Sequence, residues 1–403
     1  MSNASSSLGI ADSSRFPLLS KQIVAMLLFS SANAAINPYK NIFGIDVIGV
    51  TEIYYSLVIL FSGLIITFAS IYFGVKADKN GSFVKYILIC SACGFAGNIA
   101  VFLWPNPYTY FLATCLLLPI FCVLNSLIFS YATVRRTAAR ESSRGDENAL
   151  LRSTYSMGYV LTLGLIGVLA LPKKELIFIW LFSGVMSLLI FAIYFKEQPS
   201  NEAFKSASAS APVSQVFNKA NIFKLVGVSL IASMLFTLDA TAPLILVNQA
   251  GGEYSSIGLF EAGIAIFEIF FIFFWSRVAQ KRKVSSVIIW GALLFSLAML
   301  LFSMTRNLVH IYFLIPLLAL GAACLISIPI GFLQSLAKDR PGIGGSLLSI
   351  SFFVSSSVSS VVYFLGTYFF DITRTISISV GVGLLGVIIL FRSEKINNGK
   401  KHE

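Results

Sequence analysis

Charge is the scarcest commodity in this 403-residue chain. Charged residues make up 12% of it, against about 25% in an ordinary soluble domain. Histidine occurs twice, as His310 and His402. No His/Cys/carboxylate constellation of the kind that holds a metal or builds a triad is visible, so no enzyme and no cofactor is expected. The five cysteines, Cys90, Cys93, Cys115, Cys122 and Cys324, all lie inside apolar runs. Cys90 and Cys93 have CxxC-like spacing, but a helix in lipid suits neither zinc nor redox chemistry, and they read as small packing residues. Also missing is a basic domain with interleaved aromatics, so the net charge of +11 does not point to nucleic acid. No loop is long enough for a soluble sensor domain. No cleavable signal is apparent: the first residues are polar and Ser-rich, and the first apolar run reads as a retained helix.

What remains is apolar. Hydrophobic residues are 57% of the chain, with a mean hydropathy of +0.84. A spanning helix needs about 20 apolar residues, and such runs recur throughout. The pattern predicts an all-α membrane protein with about twelve spans, at 22–44, 51–75, 84–104, 109–134, 149–171, 176–195, 223–247, 256–276, 284–304, 309–337, 343–370 and 373–391. With both termini placed in the cytoplasm, all but five of the 29 basic residues fall on one side; the five are Lys40, Lys173, Lys174, Arg306 and Arg374. That asymmetry is the positive-inside rule, and it supports an even helix count. The stretch 196–222 is polar and rich in Ser and Ala, suited to a flexible linker. It divides the chain into a tail (1–21), a six-helix half (22–195), the linker, a second six-helix half (223–391) and a second tail (392–403). Two halves joined this way is the layout of the major facilitator fold.

The loop after the second span reads Gly74-Val-Lys-Ala-Asp78-Lys79-Asn-Gly81-Ser-Phe-Val-Lys85. It resembles the major facilitator signature G-x-x-x-D-R/K-x-G-R/K-R/K, with Ser82 and Phe83 in place of the basic pair. Gly74 would let helices approach closely. Asp78 would cap the next helix or pair with a base, with Lys79 beside it, and Gly81 would permit a tight turn. As a unit these residues are expected to gate the cytoplasmic side; an ordinary polar turn is the plainer reading.

Ionisable groups at membrane depth cost about 2.5–3.5 kcal/mol on insertion scales and therefore point to function. Two stand out. Asp239 lies in LFTLDATAPL, with Pro243 one turn on to loosen the helical ladder, and Glu268 lies in IAIFEIFFIF. A carboxyl in low dielectric can cycle its proton near neutral pH, so both are proton-coupling candidates; each would otherwise be a hydrogen-bonding group between helices. Asn33 and Asn37 share one face, with Lys40 nearly on it. With Asn98, Asn125 and Gln334 they offer the mixed donors and acceptors that suit a hydroxyl-rich solute, although amides also glue helices together. Arg152 either faces the cavity or snorkels to the surface. Tyr54, Tyr55 and Trp290 are aromatics able to stack on a sugar ring. The run Ser351 to Ser360 allows close helix approach or forms a polar wall.

With these residues placed, the chain resembles the bacterial sugar efflux transporter family of the major facilitator superfamily. Asp239 with Pro243 is similar to an Asp-x-Pro-like stretch there. Glu268 and Ile269 resemble a Leu-Glu-Ile-Pro segment, with Phe267 and Phe270 replacing Leu and Pro. Gln334 before a Gly-rich helix start, and Arg152 opening the fifth span, have counterparts too. The resemblance implies proton-driven export of mono-, di- or oligosaccharides or their analogues; the lack of an apparent targeting segment and the short tails suit a bacterial inner membrane. The proton gradient would be the driving force and the protein would be a monomer. Drug or other small-metabolite exporters share the architecture, so that alternative stays open.

Overall fold

The structure is a computed structural model and describes residues 16–80, 82–138, 146–169, 171–197, 219–336 and 341–399. Among these residues every regular element is helical. With no water in the hydrocarbon to satisfy backbone groups, a helix that satisfies them internally is what such apolar runs must form. Twelve long helices result: α1 (Phe16–Ile36), α2 (Glu52–Asn80), α3 (Phe83–Leu103), α4 (Pro107–Leu112, continuing in pieces to Leu124–Ala138), α5 (Asp146–Leu169), α6 (Ile177–Phe195), α7 (Lys219–Asn248), α8 (Tyr254–Lys281), α9 (Val284–Met304), α10 (Leu308–Ser335), α11 (Pro341–Phe369) and α12 (Ile372–Gly399). Ten of the described helices are long and apolar enough to cross a bilayer, and two shorter apolar stretches, Lys21–Ile36 and Ser153–Leu169, complete the twelve.

The packing repeats. In the first six helices α1 packs on α5 and α6, and α3 on α6; in the last six α7 packs on α11 and α12, and α9 on α12. The two sets meet along two seams, α2 against α11 and α5 against α8. Small residues bring the seams together. At Gly63 a Cβ would collide with the Ser356 side chain, and at Gly258 it would lie 2.5 Å from the Tyr39 hydroxyl and 2.8 Å from the Leu163 carbonyl oxygen. The serine run in α11 is part of this packing. Ser351 Oγ accepts from Ser229 Oγ at 3.0 Å, Ser355 Oγ donates to the Ser229 carbonyl at 2.9 Å, and Ser360 Oγ donates across the seam to the Ser56 carbonyl at 2.7 Å. The outer surface is apolar: Phe68, Phe195, Phe270 and Phe313 are all widely exposed, as a lipid-facing belt requires.

Three expectations change. The first helix does not run unbroken to residue 44. It stops at Ile36 because Pro38 lacks an N–H, and a short helix at Lys40–Ile42 and a wide turn at Phe43–Val47 follow. At Gly74 no atom lies within 4 Å of a Cβ, so this glycine does not mark a close helix contact. Asp78 and Lys79 fall in the last turn of α2 and not in a loop; their side chains, and Gly81, lie outside the described residues. Most of the predicted linker, 198–218, does so too.

Candidate functional site

A cavity of about 370 Å³ lies between the two sets of helices. Its walls come from α1, α2, α4, α5, α6, α7, α8 and α11.

Asn33 of α1 and Asn37, just past its end, sit one turn apart and both line the cavity. The break at Pro38 then turns the chain so that Lys40 reaches back, its Nζ donating to Asn37 Oδ1 at 3.3 Å. The outward end of the molecule, where the basic-residue count would put Lys40, is therefore not where its ammonium lies: it lines the cavity. On α4, Pro119 cannot donate to the carbonyl one turn earlier, and the helix takes up the mismatch as a π turn at Ala113–Leu117. Such turns recur at functional sites, and here Thr114, Cys122 and Asn125 line the cavity along the same helix. Cys122 Sγ donates to Asn33 Oδ1 at 3.6 Å, which ties α4 to α1.

α5 contributes Tyr155 and Tyr159, one turn apart, their rings stacked at 5.9 Å with 24° between planes. α7 contributes Phe236, Asp239 and Ala240, and α11 contributes Phe352 and Ser356. Phe236 and Phe352 meet edge to face at 4.9 Å. Tyr55 of α2 lines the cavity as well, packed against Tyr363 at 5.8 Å.

The charges are few and grouped. Lys40 is the one cation among the described lining residues, and Asp239 acts on it electrostatically. Opposite charges in one cavity offset part of the cost of holding either in lipid. A second carboxyl, Glu261 of α8, lines the cavity. The groups that act on it are Asp239 and Glu268, both acidic. Glu268 itself is half-buried and lies outside the lining, two turns along α8 from Glu261. Tyr159 is within electrostatic reach of all three carboxyls.

The structure thus brings Asn33, Asn37, Asn125 and Asp239 to one cavity, and leaves Glu268 beside it. Asn98 is elsewhere. Fully buried in α3 against Gly184 of α6, it donates from Nδ2 to the Gly94 carbonyl at 2.8 Å, as helix glue does. Arg152 and Gln334 lie on α5 and α10, their side chains outside the described residues. Tyr54 and Trp290 are exposed, at 57% and 64%, and neither lines the cavity, so they stack on no ligand there. Sequence reasoning passed over Glu261, Tyr155 and Tyr159. The available signal for Glu261 was its spacing of seven from Glu268, which puts both on one helix face. The tyrosines carried none, being two among 15.

A twelve-helix bundle with a polar cavity between two repeated halves is the architecture of a membrane transporter that works by alternating access. The model of the Major Facilitator Superfamily matches residues 23–360, and the chain belongs to that superfamily. It is an integral, multi-pass membrane transporter of a small-molecule substrate. No curated protein sequence matches the chain. Among solved structures, the chain is similar to a point mutant of the nucleoside transporter NupG, with a TM-score of 0.78 at 13% identity over 93% of this chain and 99% of that one. It is similar to the POT-family transporter PepTSo, at 0.75 and 10% identity over 94% and 97%. It is also similar to the peptide transporter POT in complex with sulfate, at 0.72 and 12% identity over 94% of each chain. At these identities the likeness shows the fold.

Proposed function

We propose that the chain exports a sugar or sugar-like small molecule in exchange for protons, from a bacterial cytoplasm that holds both of its termini. The observation that carries this reading is the cavity wall. Asn33, Asn37 and Asn125 present amide donors and acceptors, Thr114, Ser183 and Ser356 present hydroxyls, and Tyr155 and Tyr159 present ring faces and hydroxyls. That mixture satisfies a hydroxyl-rich ring at many points at once. Pockets for drug-sized ligands span about 300–1,000 Å³, so a cavity of about 370 Å³ favours a compact solute. Asp239 and Glu261 supply the coupling. Like-charged carboxyls sharing a low-dielectric space repel, and binding a proton removes that repulsion. Proton and solute then compete for one cavity while the two halves rock around it.

A second reading is efflux of a small cationic amphipath. Glu261, which has acidic neighbours, and the Phe29, Phe236 and Phe352 rings in the wall favour it. A nucleoside, the solute named for the structurally similar NupG, combines a ring with hydroxyls and belongs on the same panel.

The test is uptake into inside-out vesicles with an imposed proton gradient. Labelled mono- and disaccharides are compared with a nucleoside and a lipophilic cation. Gradient-driven sugar accumulation is expected, with Asp239→Asn and Glu261→Gln each lowering it about tenfold or more. Glu268→Gln is expected to lower it less, since Glu268 does not line the cavity. Accumulation of the cation with none of the sugars would transfer the assignment to the second reading, and no accumulation in the panel would end both.

A further inference from the structure

Two adjacent residues on one half face two adjacent residues on the other. Lys40 and Asp239 share the cavity and interact electrostatically. Their chain neighbours, Asn41 and Ala240, are joined directly: Asn41 Nδ2 donates to the Ala240 carbonyl, and this bond is buried. Asn41 is 1% exposed.

The mount of this segment is rigid on its own side. The Tyr110 hydroxyl donates to the Lys40 carbonyl at 2.6 Å. Phe43 packs on Trp180 at 5.3 Å, and Tyr110 on Trp180 at 6.1 Å. Gly44 lets the segment lie this close, for a Cβ there would be 2.5 Å from the Tyr110 hydroxyl. Lys40–Ile42 therefore moves with the first six helices. The only part of it hydrogen-bonded to the last six, among the described residues, is the Asn41 amide. Its acceptor is a backbone atom one residue from Asp239, in the stretch where Pro243 leaves the Asp239 carbonyl without its usual helical donor. The bond lies at the end of the bundle away from the basic loops, in company with Tyr254 to Asp46 at 2.9 Å and Ser360 to Ser56 at 2.7 Å, both of which also cross between halves.

We propose that Asn41 is a positioning residue for transport: a latch that couples the charge of the cavity to closure of this end. While Asp239 is charged, its attraction for Lys40 draws the 40–42 segment onto α7 and keeps the Asn41 amide on the Ala240 carbonyl. When that charge is neutralised, Lys40 is released, the amide loses its seat, and the seal opens. The groups facing Asp239 that would modulate this are Lys40 itself, Tyr55 of α2, Tyr159 of α5, and Glu261 and Glu268 of α8. The latch rests on the chain being a transporter and is independent of which solute or ion it carries.

The test uses the full chain in lipid nanodiscs, without substrate or gradient, so it can fail while the sugar reading holds, and the reverse. The native cysteines are replaced by serine or alanine. Spin labels are placed at Tyr108→Cys and Val309→Cys, which are 87% and 58% exposed, at the latch end of either half. Distance distributions are read by pulsed electron resonance. Asn41→Ala is expected to raise the open population about fivefold, the loss of one buried hydrogen bond. Asp239→Asn and Lys40→Gln should each do the same. Asn41→Ser, which keeps a donor, should restore part of the closed population. The double variant Asn41→Ala/Asp239→Asn should open no more than the larger single. If the two effects multiply, the bond and the charge act separately and the latch is overturned. If Asn41→Ala does not fold, the Lys40→Gln and Asp239→Asn pair decides: an unchanged distribution in either overturns it.

Discussion

The two ends of the bundle are held by different kinds of bond. At the end bearing the basic loops, each half is clasped to itself. Lys21 at the start of α1 pairs with Glu197 after α6 at 3.9 Å, and Tyr131 donates to the same carboxylate at 2.9 Å. Lys224 at the start of α7 pairs with Glu394 of α12 at 3.4 Å. First helix to last helix, Lys to Glu, the arrangement occurs once per half. At the opposite end the described polar bonds include several that run between halves: Asn41 to Ala240, Tyr254 to Asp46 and Ser360 to Ser56. A body that must rock needs each half to be internally rigid, and needs the bonds between halves to be breakable one by one. Ion pairs within and single neutral or singly charged hydrogen bonds across provide those two properties.

Breaking the comparison at its tightest point should have the largest effect. Gly258→Val would press a side chain into the Tyr39 hydroxyl and the Leu163 carbonyl. Overpacking of this kind costs about 1–3 kcal/mol, here levied on the closed arrangement alone. The spin-label pair at 108 and 309 should report a mostly open distribution. Lys224→Met tests the other end. It leaves the Glu394 carboxylate, partly exposed, without its cation, at a cost of about 1–3 kcal/mol, below that of a fully buried pair. Thermal unfolding in detergent should show the loss, while the label distance at the far end stays as in the wild type. A shift in that distance would mean the clasp is not confined to its own half. A smaller change is expected from Tyr254→Phe, which removes one hydrogen bond worth about 1 kcal/mol. It should open the far end without altering unfolding of either half.

The smallest effect belongs to Asp371, outside the spans at the start of α12. Its carboxylate accepts from the Thr373 hydroxyl and from the Arg374 backbone N–H, the latter at 2.8 Å. These bonds hold its pKa below the usual carboxylate value, the Thr373 hydroxyl contributing most. A depressed carboxylate contributes stability at pH values above its unfolded pKa and loses it as pH falls through the folded one. Asp371→Ala should therefore cost about 0.5–1 kcal/mol near neutral pH, as an N-cap does. The gap to wild type should narrow when unfolding is repeated at acid pH, and a gap independent of pH would remove the carboxylate from the cap.

The helix count was legible, and so were the basic-side ends of α6 at Phe195 and α9 at Val284, but four other ends on that side were not. α2, α4, α8 and α12 run to Asn80, Ala138, Lys281 and Gly399, past the ends of their apolar runs at 75, 134, 276 and 391. Hydropathy marks where lipid stops, whereas a helix continues until a cap or a break stops it. In the site, Asp239 and the Asn33/Asn37 pair were visible because polar groups in apolar runs are conspicuous. The reach of Lys40 was hidden, because its direction depends on the break at Pro38. Glu261 was overlooked near the start of its span, where a carboxylate reads as interfacial.

What the amino-acid order settled alone is the class of molecule. Apolar runs of spanning length must become helices, because lipid offers the backbone no other partner, and the distribution of Lys and Arg follows the same solvent boundary. What only the tertiary structure decided is which polar groups share a space. Helix rotation, and the direction the chain takes after the breaks at Pro38 and Pro119, are set by packing between helices. They bring Lys40 of one half to Asp239 of the other, across a sequence separation that no local pattern spans.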